Sequence, residues 1–206
     1  MLNPSPIKDK NARAICIFCG SSHGANAAYG EAARTFGALL AEQGFSVVFG
    51  GGGLGLMGEA ARAARDAGAK VQGILPDFLK HLEPPLKTGE RVMLTPDLFA
   101  RKAKMIEMAD GFAILPGGNG TMDEFFEVLT SAQLSLHAKP IVILNVAGYF
   151  DPLLRLLDHI VRQGFANANV RKLYHVCRTP EQATALFRDL LEGAAADEAA
   201  LEAHEH

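Results

Sequence analysis

Short apolar runs alternate with longer amphipathic segments through most of this 206-residue chain. The runs are rich in Val, Ile and Phe, and several are continuously apolar, as is typical of strands covered on both faces. Strands joined by helical segments are expected to be parallel, with right-handed crossovers. We therefore predict an α/β fold, a doubly wound parallel sheet of about seven strands flanked by helices. The predicted strands are Ala14–Phe18, Phe45–Phe49, Lys70–Leu75, Arg91–Leu94, Gly111–Leu115, Ile141–Asn145 and Tyr174–Arg178.

Capping residues mark the ends of several helices. Gly44 and Gly68 stand where a glycine commonly follows the last helical residue. Thr95-Pro96-Asp97 and Thr179-Pro180-Glu181 each have the pattern of an N-cap threonine, a proline at the first helical position and an acid in the first turn. The predicted helices are Ala27–Gln43, Leu56–Ala67, Thr95–Ala109, Thr121–His137, Tyr149–Gln163 and Pro180–Leu191.

The composition is that of a globular protein with a sizeable core, since 49% of the residues are hydrophobic and 21% are charged. The net charge of −3 gives no sign of a nucleic-acid or membrane-surface partner. No apolar run could span a bilayer, and the first dozen residues lack the apolar core of a secretory signal. We expect a disordered lead-in over residues 1–13, one Rossmann-like domain over 14–192, and an acidic tail over 193–206 that is frayed helix or disorder.

Three cysteines do not make a disulfide framework, and the cytoplasm is the expected compartment. Cys16 and Cys19 form a CxxC pattern, but a strand places residues three apart on opposite faces. We therefore expect two buried or half-buried thiols rather than a redox pair. The seven histidines are scattered without an HExxH or Cys/His cluster, so no metal site is expected.

Three glycine-rich or hydroxyl-rich loops follow predicted strands. They are Cys19–Ser22 after the first strand, Gly50–Gly58 after the second and Pro116–Thr121 after the fifth. In a doubly wound sheet these loops lie at the carboxyl edge, where ligands bind. Glycine lets backbone N–H groups come close to a phosphate, and a helix N-terminus behind the loop adds donors and a favourable dipole.

The second loop contains a dinucleotide fingerprint, Gly53-x-Gly55-x-x-Gly58, and Asp77 lies where a ribose-binding acid would stand. The fingerprint does not follow the first strand, and the chain is too short for the separate substrate domain of most dehydrogenases. Glycines that serve tight turns and close helix packing explain this loop equally well. No GxxxxGK[ST] pattern is present, so a P-loop NTPase is not supported.

Thr121 and Glu124 form a Thr-x-x-Glu pattern, which alone indicates a capping box at a helix start. The glycine run just before it favours a ligand site instead. Glu127 and Thr130 continue along the same side of the predicted helix. Because carboxylates are repelled by a phosphate, these acids are expected to address another part of the ligand.

The predicted helix 95–109 carries Arg101, Lys102 and Lys104. Basic residues on a helix are most often a solvated face. Arg101 and Lys102 are adjacent and point about a quarter turn apart. One of them could therefore reach a ligand while the other is anchored elsewhere.

Taken together, these stretches resemble the LOG ("Lonely guy") family of cytokinin riboside 5′-monophosphate phosphoribohydrolases. The family signature PGGxGTxxE stands at residues 116–124, and the RKxxM segment stands at 101–105. FCGSS at 18–22, FGGGGLGLMG at 49–58, AQLSLHAKP at 132–140 and LNVAGYFDPLL at 144–154 agree as well. The similarity runs from about Ala14 to Leu191.

The resemblance implies a Rossmann-like homodimer that cleaves the N-glycosidic bond of adenosine 5′-monophosphates, with or without an N6 substituent. The products are the free base and ribose 5-phosphate, and no metal or redox cofactor is implied. The family's catalytic arginine and glutamate correspond to Arg101 and Glu124. The implied substrate-binding residues are Gly20, Ser21, Ser22, Gly52, Gly53, Met57, Glu83, Lys102, Gly117, Gly118, Asn119, Gly120, Thr121, Met122, Asp123, Glu127 and Thr130.

Three departures from the family pattern bear on the base preference. Asn119 replaces an aromatic residue, Ser131 replaces a tryptophan, and Leu98-Phe99 replaces Met-His. The competing interpretation is a carrier of the same fold that binds nucleotide or molybdenum cofactor without hydrolysing it, although a carrier would not need both Arg101 and Glu124. An NAD-dependent oxidoreductase rests on GLGLMG alone. The lysine decarboxylase label used for some relatives lacks support, because a pyridoxal-phosphate lysine with its partners is not identifiable.

Overall fold

The computed structural model describes residues 13–80 and 91–204, with side chains described as far as residue 193. Within these residues, seven parallel strands form one sheet in the order β4-β3-β2-β1-β5-β6-β7. This order confirms the predicted doubly wound sheet, and all seven predicted strands are present. Their bounds are β1 Ala14–Phe18, β2 Ser46–Phe49, β3 Val71–Pro76, β4 Arg91–Thr95, β5 Gly111–Ile114, β6 Ile141–Leu144 and β7 His175–Cys177.

The six predicted helices are also present, with shifted ends. Gly44 and Gly68 follow the first two helices with positive φ, as predicted. The last helix continues past the predicted end at Leu191 as far as His204. It enters the acidic tail, which the sequence analysis described as either frayed helix or disorder. The bounds are α1 Ala27–Glu42, α2 Gly55–Asp66, α3 Leu98–Met108, α4 Asn119–Gln133, α5 Asp151–Arg162 and α6 Pro180–His204.

The helices cover both faces of the sheet. One apolar cluster joins α1, α2 and α6 to the face that carries Ile15 and Ile17. The other joins α3, α4 and α5 to the opposite face, which carries Cys16 and Phe18. Cys16 and Cys19 are buried in different clusters, which confirms the prediction of two buried thiols on opposite faces. None of the helices in the described residues has the length and apolar character needed to cross a bilayer.

The strand order changes direction beside β1. The chain first builds outward from β1 through β2 and β3 to β4, and then returns to place β5 on the other side of β1. β1 pairs with both β2 and β5, with Ile15 opposite Val47 on one side and Gly111 on the other. The loops after β1 and β5 therefore diverge at a topological switch point, the usual ligand crevice of such sheets.

The predicted start of α3 is wrong. Thr95 is not the N-cap of α3, because it completes β4 and donates its hydroxyl to the Asp97 carbonyl. Asp97 is the N-cap, accepting a hydrogen bond of 2.8 Å from the Ala100 N–H. The predicted N-cap of α6 is confirmed, since Thr179 Oγ1 accepts a hydrogen bond of 3.4 Å from the Gln182 N–H.

The capping box at Thr121 and Glu124 is not formed. α4 starts two residues earlier, at Asn119, and its N-cap is Gly118, which has no capping side chain. Thr121 is thus the third residue of the helix, and Glu124 lies in the second turn. Neither side chain is needed to cap α4.

Candidate active site

The three glycine-rich or hydroxyl-rich loops meet at the switch point. The Gly20 N–H donates to the Pro116 carbonyl at 3.0 Å, which links the loops after β1 and β5. The Gly20 carbonyl accepts from the Met57 N–H at 3.1 Å, and the Ser22 carbonyl accepts from the Leu56 N–H at 3.4 Å. These bonds link the loop after β1 to the start of α2.

The start of α2 is therefore occupied by protein, and its glycines serve close packing. A Cβ on Gly55 would lie 2.2 Å from the Ser21 carbonyl carbon, and one on Gly58 would lie 2.1 Å from the Gly53 carbonyl oxygen. Two of the first N–H groups of α2 already donate to the loop after β1. For the dinucleotide fingerprint, the structure thus favours the packing interpretation. Asp77 is exposed and pairs with Lys80 at 2.9 Å.

The start of α4 is open by comparison. In the described part of the chain, the backbone N–H groups of Asn119, Gly120 and Thr121 show no hydrogen-bond acceptor. A Cβ on Gly118 or Gly120 would meet no atom within 4 Å, so close packing of the protein does not require glycine at either position. Free N–H donors at a helix N-terminus, behind backbone that carries no side chains, form a site for a phosphate or another anion.

Arg101 and Glu124 form a buried ion pair beside this helix start. Arg101 Nη1 lies 3.4 Å from Glu124 Oε1, and the two side chains are only 12% and 9% exposed. Arg101 is supplied by the first turn of α3 and Glu124 by the second turn of α4. A carboxylate held in a nearly dry environment beside a fixed cation is typical of a catalytic site.

Two backbone carbonyls hold the Arg101 side chain in place. Nε donates to the Ile74 carbonyl at 3.2 Å, and Nη2 donates to the Gly50 carbonyl at 3.3 Å. Gly50 makes room for the guanidinium, since a Cβ there would lie 1.9 Å from Arg101 Nη2. The loop after β2 thus contributes to the site through the position of Arg101.

Lys102 points away from Arg101 to a second set of carboxylates, in accord with the expected quarter turn. Its Nζ pairs with Asp123 at 2.9 Å and also with Glu127. Burial alone would lower the pKa of Lys102, but the hydrogen bonds to Glu127 and Asp123 outweigh it and raise that pKa. The ammonium also lies 5.6 Å from the centroid of the Phe99 ring. Lys102 is therefore a stable cation on the flank of the α4 start.

A cavity of about 290 Å³ adjoins the loop after β5 on the α1 side. Gly20, Ser21, Ser22, Gly117 and Gly118 line it, so the structure brings these five predicted residues together.

The cavity is also lined by Tyr29 and Tyr149, to which sequence reasoning gave no role. The two rings meet edge to face with centroids 5.5 Å apart, and the Tyr149 hydroxyl donates to the Gly117 carbonyl. Tyr149 lies in the LNVAGYFDPLL stretch, which was quoted above for the family resemblance. That resemblance was the signal from which a role for Tyr149 could have been predicted.

The remaining predicted residues are placed less centrally. Gly117 packs on the buried Thr121, whose hydroxyl a Cβ at Gly117 would strike at 2.1 Å. Met122 is half-buried against the α3–α4 cluster. Thr130 is exposed about 9 Å along the helix axis from Glu124. Glu83 lies outside the described residues. Gly52 and Met57 are buried below the α2 start, with Gly53 half-buried beside them.

Within residues 13–80 and 91–204, no group of three or more His, Cys, Asp or Glu side chains is arranged to hold a metal ion.

Comparison with protein families matches residues 57–187 to the family described as possible lysine decarboxylase. Among curated proteins, a probable cytokinin riboside 5′-monophosphate phosphoribohydrolase of Oryza sativa subsp. japonica is 40% identical over 170 residues, covering 82% of this chain and 70% of that protein. A cytokinin riboside 5′-monophosphate phosphoribohydrolase of Arabidopsis thaliana is 42% identical over 161 residues, covering 78% of this chain and 75% of that protein.

Similar solved structures include the molybdenum cofactor carrier protein of Chlamydomonas reinhardtii. It has a TM-score of 0.67 at 22% identity and covers 88% of this chain and 99% of that one. The molybdenum cofactor binding protein of Rippkaea orientalis has a TM-score of 0.65 at 21% identity and covers 87% of this chain and 98% of that one. At this identity the likeness shows a shared fold.

Proposed function

This chain belongs to the LOG family, and on that premise we propose that it hydrolyses the N-glycosidic bond of adenosine 5′-monophosphates, with or without an N6 substituent. The products are the free base and ribose 5-phosphate. The observation that carries the proposal is the buried Arg101–Glu124 pair beside the open start of α4. The family membership supports the reaction, and the geometry supports the roles proposed for these two residues.

The 5′-phosphate binds at the start of α4 in this proposal. The free N–H groups of Asn119, Gly120 and Thr121 supply donors, and the helix dipole favours a negative charge. Gly118 and Gly120 leave the space that the phosphate needs. Lys102 stays protonated near this position, but Asp123 and Glu127 pair with its charge, so the N–H groups and the helix dipole are the main attraction for the phosphate.

Glu124 acts on the sugar. Breaking the bond between C1′ and the base builds positive charge on the ribose, as in glycoside hydrolysis. The carboxylate stabilises that charge and accepts a proton from the attacking water. The water oxygen bonds to C1′, the C1′–N bond breaks, and the proton that Glu124 accepted from the water is returned through solvent to the departing base. A site with little bulk water strengthens each of these electrostatic contributions.

Arg101 positions this carboxylate in the free enzyme. It bridges the Glu124 carboxylate and two backbone carbonyls, so its guanidinium has a fixed location and orientation. An arginine is suited to this role because its planar fork keeps its charge and offers several donors at once. When substrate is bound, the same cation is in place to balance negative charge on the departing base.

A lysine decarboxylase activity is not part of the proposal, although the matching family carries that description. A Schiff-base lysine must reach its neutral form to attack a carbonyl. The lysine of this site, Lys102, has a raised pKa and is held by Asp123 and Glu127. It is therefore poorly suited to act as a nucleophile.

We further propose a cytoplasmic homodimer. The protein exposes several large apolar side chains that an interface between two copies could cover. Phe99, Leu134, Leu136 and Phe165 are 79%, 65%, 73% and 87% exposed. Gel filtration with light scattering tests this directly, and a monomer at micromolar concentration would contradict the homodimer.

The activity is tested by incubating the purified protein with AMP and with isopentenyladenosine 5′-monophosphate, with the free base measured by chromatography. The wild type releases base from at least one of them, and the relative rates define the base preference. Glu124→Gln removes the charge at nearly constant shape and is expected to lower kcat by roughly 10²–10⁴-fold. Glu107→Gln is the matched control, since Glu107 is an exposed acid on α3 paired with Lys104.

Two outcomes contradict the proposal. If nucleotide binds but neither substrate releases base, the protein is a carrier of the same fold. If Glu124→Gln retains the wild-type kcat while base is released, the reaction occurs without the Arg101–Glu124 pair.

A further inference from the structure

The loop that leads into α4 is held by hydrogen bonds to three successive carbonyls. The carbonyls of Pro116 and Gly118 each accept a backbone N–H, at 3.0 and 3.1 Å. The carbonyl between them, that of Gly117, is held by a side chain, because it accepts the Tyr149 hydroxyl. We propose that Tyr149 is a positioning residue, which orients the Gly117–Gly118 peptide so that the Gly118 N–H becomes a further phosphate donor at the α4 start.

The direction of the Gly118 N–H follows from the geometry of the peptide. The bond between Gly117 and Gly118 is trans, so its C=O and N–H point in opposite directions. Because the carbonyl faces the Tyr149 hydroxyl, the N–H points away from it. In the described part of the chain this N–H has no hydrogen-bond acceptor. It adjoins the free N–H groups of residues 119–121, so the loop and the first turn of α4 offer four consecutive donors to an anion.

This peptide needs an outside contact to fix it, because a glycine stands on each side. Rotation of the peptide changes ψ of Gly117 and φ of Gly118, and glycine accepts both signs of φ at little cost. A larger residue at 117 would restrict the rotation, but its Cβ would lie 2.1 Å from the Thr121 hydroxyl. The hydrogen bond from Tyr149 therefore sets a direction that the local sequence leaves open.

Aromatic contacts hold the Tyr149 ring in place. The ring meets Tyr29 edge to face, with centroids 5.5 Å apart, and it lies nearly perpendicular to Phe150 at 4.9 Å. Aromatic pairs favour such edge-to-face arrangements. The ring thus has little freedom to turn its hydroxyl away from Gly117.

The turn between β6 and α5 presents this ring. The buried Asn145 closes the turn, since its Oδ1 accepts the Phe150 N–H at 2.7 Å and its Nδ2 donates to Asp151 Oδ1 at 2.8 Å. Ala147 has a φ of 49°, in the left-handed region that non-glycine residues seldom occupy. Such conformations persist where the surrounding contacts fix them, and they cluster at functional sites. The LNVAGYFDPLL stretch, to which the proposed reaction gives no role, therefore supports the phosphate loop.

The inference rests on the phosphate site proposed at the α4 start, and Tyr149→Phe tests it by removing only the hydroxyl. We expect the Kd of ribose 5-phosphate, measured by calorimetry, to rise about tenfold, because the donor is no longer oriented toward the anion. KM for AMP should rise by a similar factor while kcat changes little, since the phosphate is held equally in the ground state and the transition state. A merely structural role would not produce this split.

Tyr174→Phe is the matched control. Tyr174 is also half-buried and its ring contacts Phe125, with centroids 6.4 Å apart, but it lies outside the contacts of the phosphate loop. This variant should leave both Kd and KM unchanged. The carbonyl ¹³C shift of Gly117 in the ligand-free protein should change in Tyr149→Phe and stay the same in Tyr174→Phe.

The inference is overturned if Tyr149→Phe leaves Kd and KM unchanged, if it lowers kcat at constant KM, or if both variants lose affinity equally. A wild type that does not bind ribose 5-phosphate would overturn it as well. If Tyr149→Phe weakens the binding of ribose 5-phosphate in a protein that releases no base, the positioning role stands and the proposed hydrolysis fails.

Discussion

Among single residues, Gly50 is the position at which we expect a small substitution to lower the proposed activity most. A Cβ at this position would lie 1.9 Å from Arg101 Nη2. Gly50→Ala is therefore expected to displace the guanidinium and leave Glu124 without its fixed neighbour. A displacement of about 1 Å can lower a rate roughly 10²-fold, so kcat/KM for the preferred nucleotide should fall by about that factor. Steady-state kinetics measures the change.

Chemical denaturation of the same variant is the control. The methyl group would strike the end of the Arg101 side chain and lie 3.0 Å from Met57 Sδ, so the protein can fold only if these side chains shift. Because that shift weakens the ion pair with Glu124, we expect the free energy of unfolding to fall by about 1–3 kcal/mol. Full activity in the folded variant would show that the location of Arg101 does not matter to the reaction.

The three cysteines are expected to be inert in the folded protein. Burial raises the pKa of Cys16, Cys19 and Cys177, and for the first two the charge of Glu124 raises it further. Because reaction requires an accessible thiolate, Ellman's reagent should label no thiol rapidly in the native state. In denaturant all three should react. One fast thiol in the native protein would contradict the described burial.

The surroundings of Glu124 could be predicted from the sequence only in part. The Thr-x-x-Glu spacing indicated a capping box, and nothing local revealed that α4 starts at Asn119. Gly118-Asn119-Gly120 is a poor helix former, so tertiary contacts must set this start. The partner of Glu124 lies on another helix, which spacing alone cannot place. The RKxxM resemblance named Arg101, but the 3.4 Å contact is a product of the fold.

At the scale of elements, the packing of α1 on α2 depends on Gly37. A Cβ there would lie 2.2 Å from the Ala60 carbonyl oxygen, which is backbone and cannot move away. Gly→Ala inside a helix usually stabilises by about 0.5–1 kcal/mol. Here the clash reverses the sign, and we expect Gly37→Ala to cost roughly 1–3 kcal/mol in denaturant unfolding.

The same helix supplies the matched control. A Cβ on Gly30 would meet only the flexible Arg34 side chain, at 3.5 Å. Gly30→Ala should therefore stabilise the protein by about 0.5–1 kcal/mol. If the two variants shift stability in the same direction, α1 and α2 do not pack as closely as described.

The segment after α4 is expected to make stability depend on pH. Burial lowers the pKa of His137 and the charge of Lys139 adds to this, while the hydrogen bond to Val128 opposes it. In the unfolded chain the pKa of the ring is about 6.5, which is higher than in the folded protein. As the pH falls, the unfolded state therefore takes up a proton before the folded state does. Stability is then lost as pH falls through about 6.5 toward the lowered folded value.

His137→Gln isolates this contribution. The variant should be less stable at neutral pH by about 1–2 kcal/mol, because the ring contacts and one hydrogen bond are lost. Its free energy of unfolding should fall less steeply than that of the wild type between about pH 7 and pH 5. Urea unfolding across this range measures both slopes, and parallel slopes would exclude His137 as the source.

The sequence predicted strands better than helix starts. Continuous apolar runs such as Ile141–Leu144 are typical of buried strands at that length, and all seven predicted strands were found. Helix starts were less certain because several residues near them can cap. At Thr95-Pro96-Asp97 both Thr and Asp are good caps, and pairing of β3 with Thr95 in β4 decided between them. Strand pairing is a long-range contact that local spacing does not contain.

In the molecule as a whole, helices on both faces of the sheet contribute residues to the site. Helices α1 and α2 lie on one face and close the loop after β1, whereas α3 and α4 lie on the other and carry Arg101 and Glu124. The loop after β5 joins the two halves through Gly20 and Pro116. The site therefore depends on elements from both faces of the sheet and from both sides of β1.

Ligand binding should for that reason stabilise the protein against global unfolding. A ligand at about 100 times its Kd that binds only the folded state adds roughly 2.7 kcal/mol. For a chain of 206 residues this corresponds to a rise in Tm of roughly 5–10 °C. We expect ribose 5-phosphate, the proposed product, to produce this shift in differential scanning calorimetry.

Ribose without the phosphate is the decisive comparison, because the α4 start supplies donors for an anion and nothing there selects a neutral sugar. It should leave Tm nearly unchanged at the same concentration. Gly120→Ala should fold normally, since a Cβ there meets no atom within 4 Å, yet should lose most of the shift with ribose 5-phosphate. An equal shift with ribose and ribose 5-phosphate would place the phosphate elsewhere. An unchanged shift in Gly120→Ala would show that the open start of α4 is not its binding site.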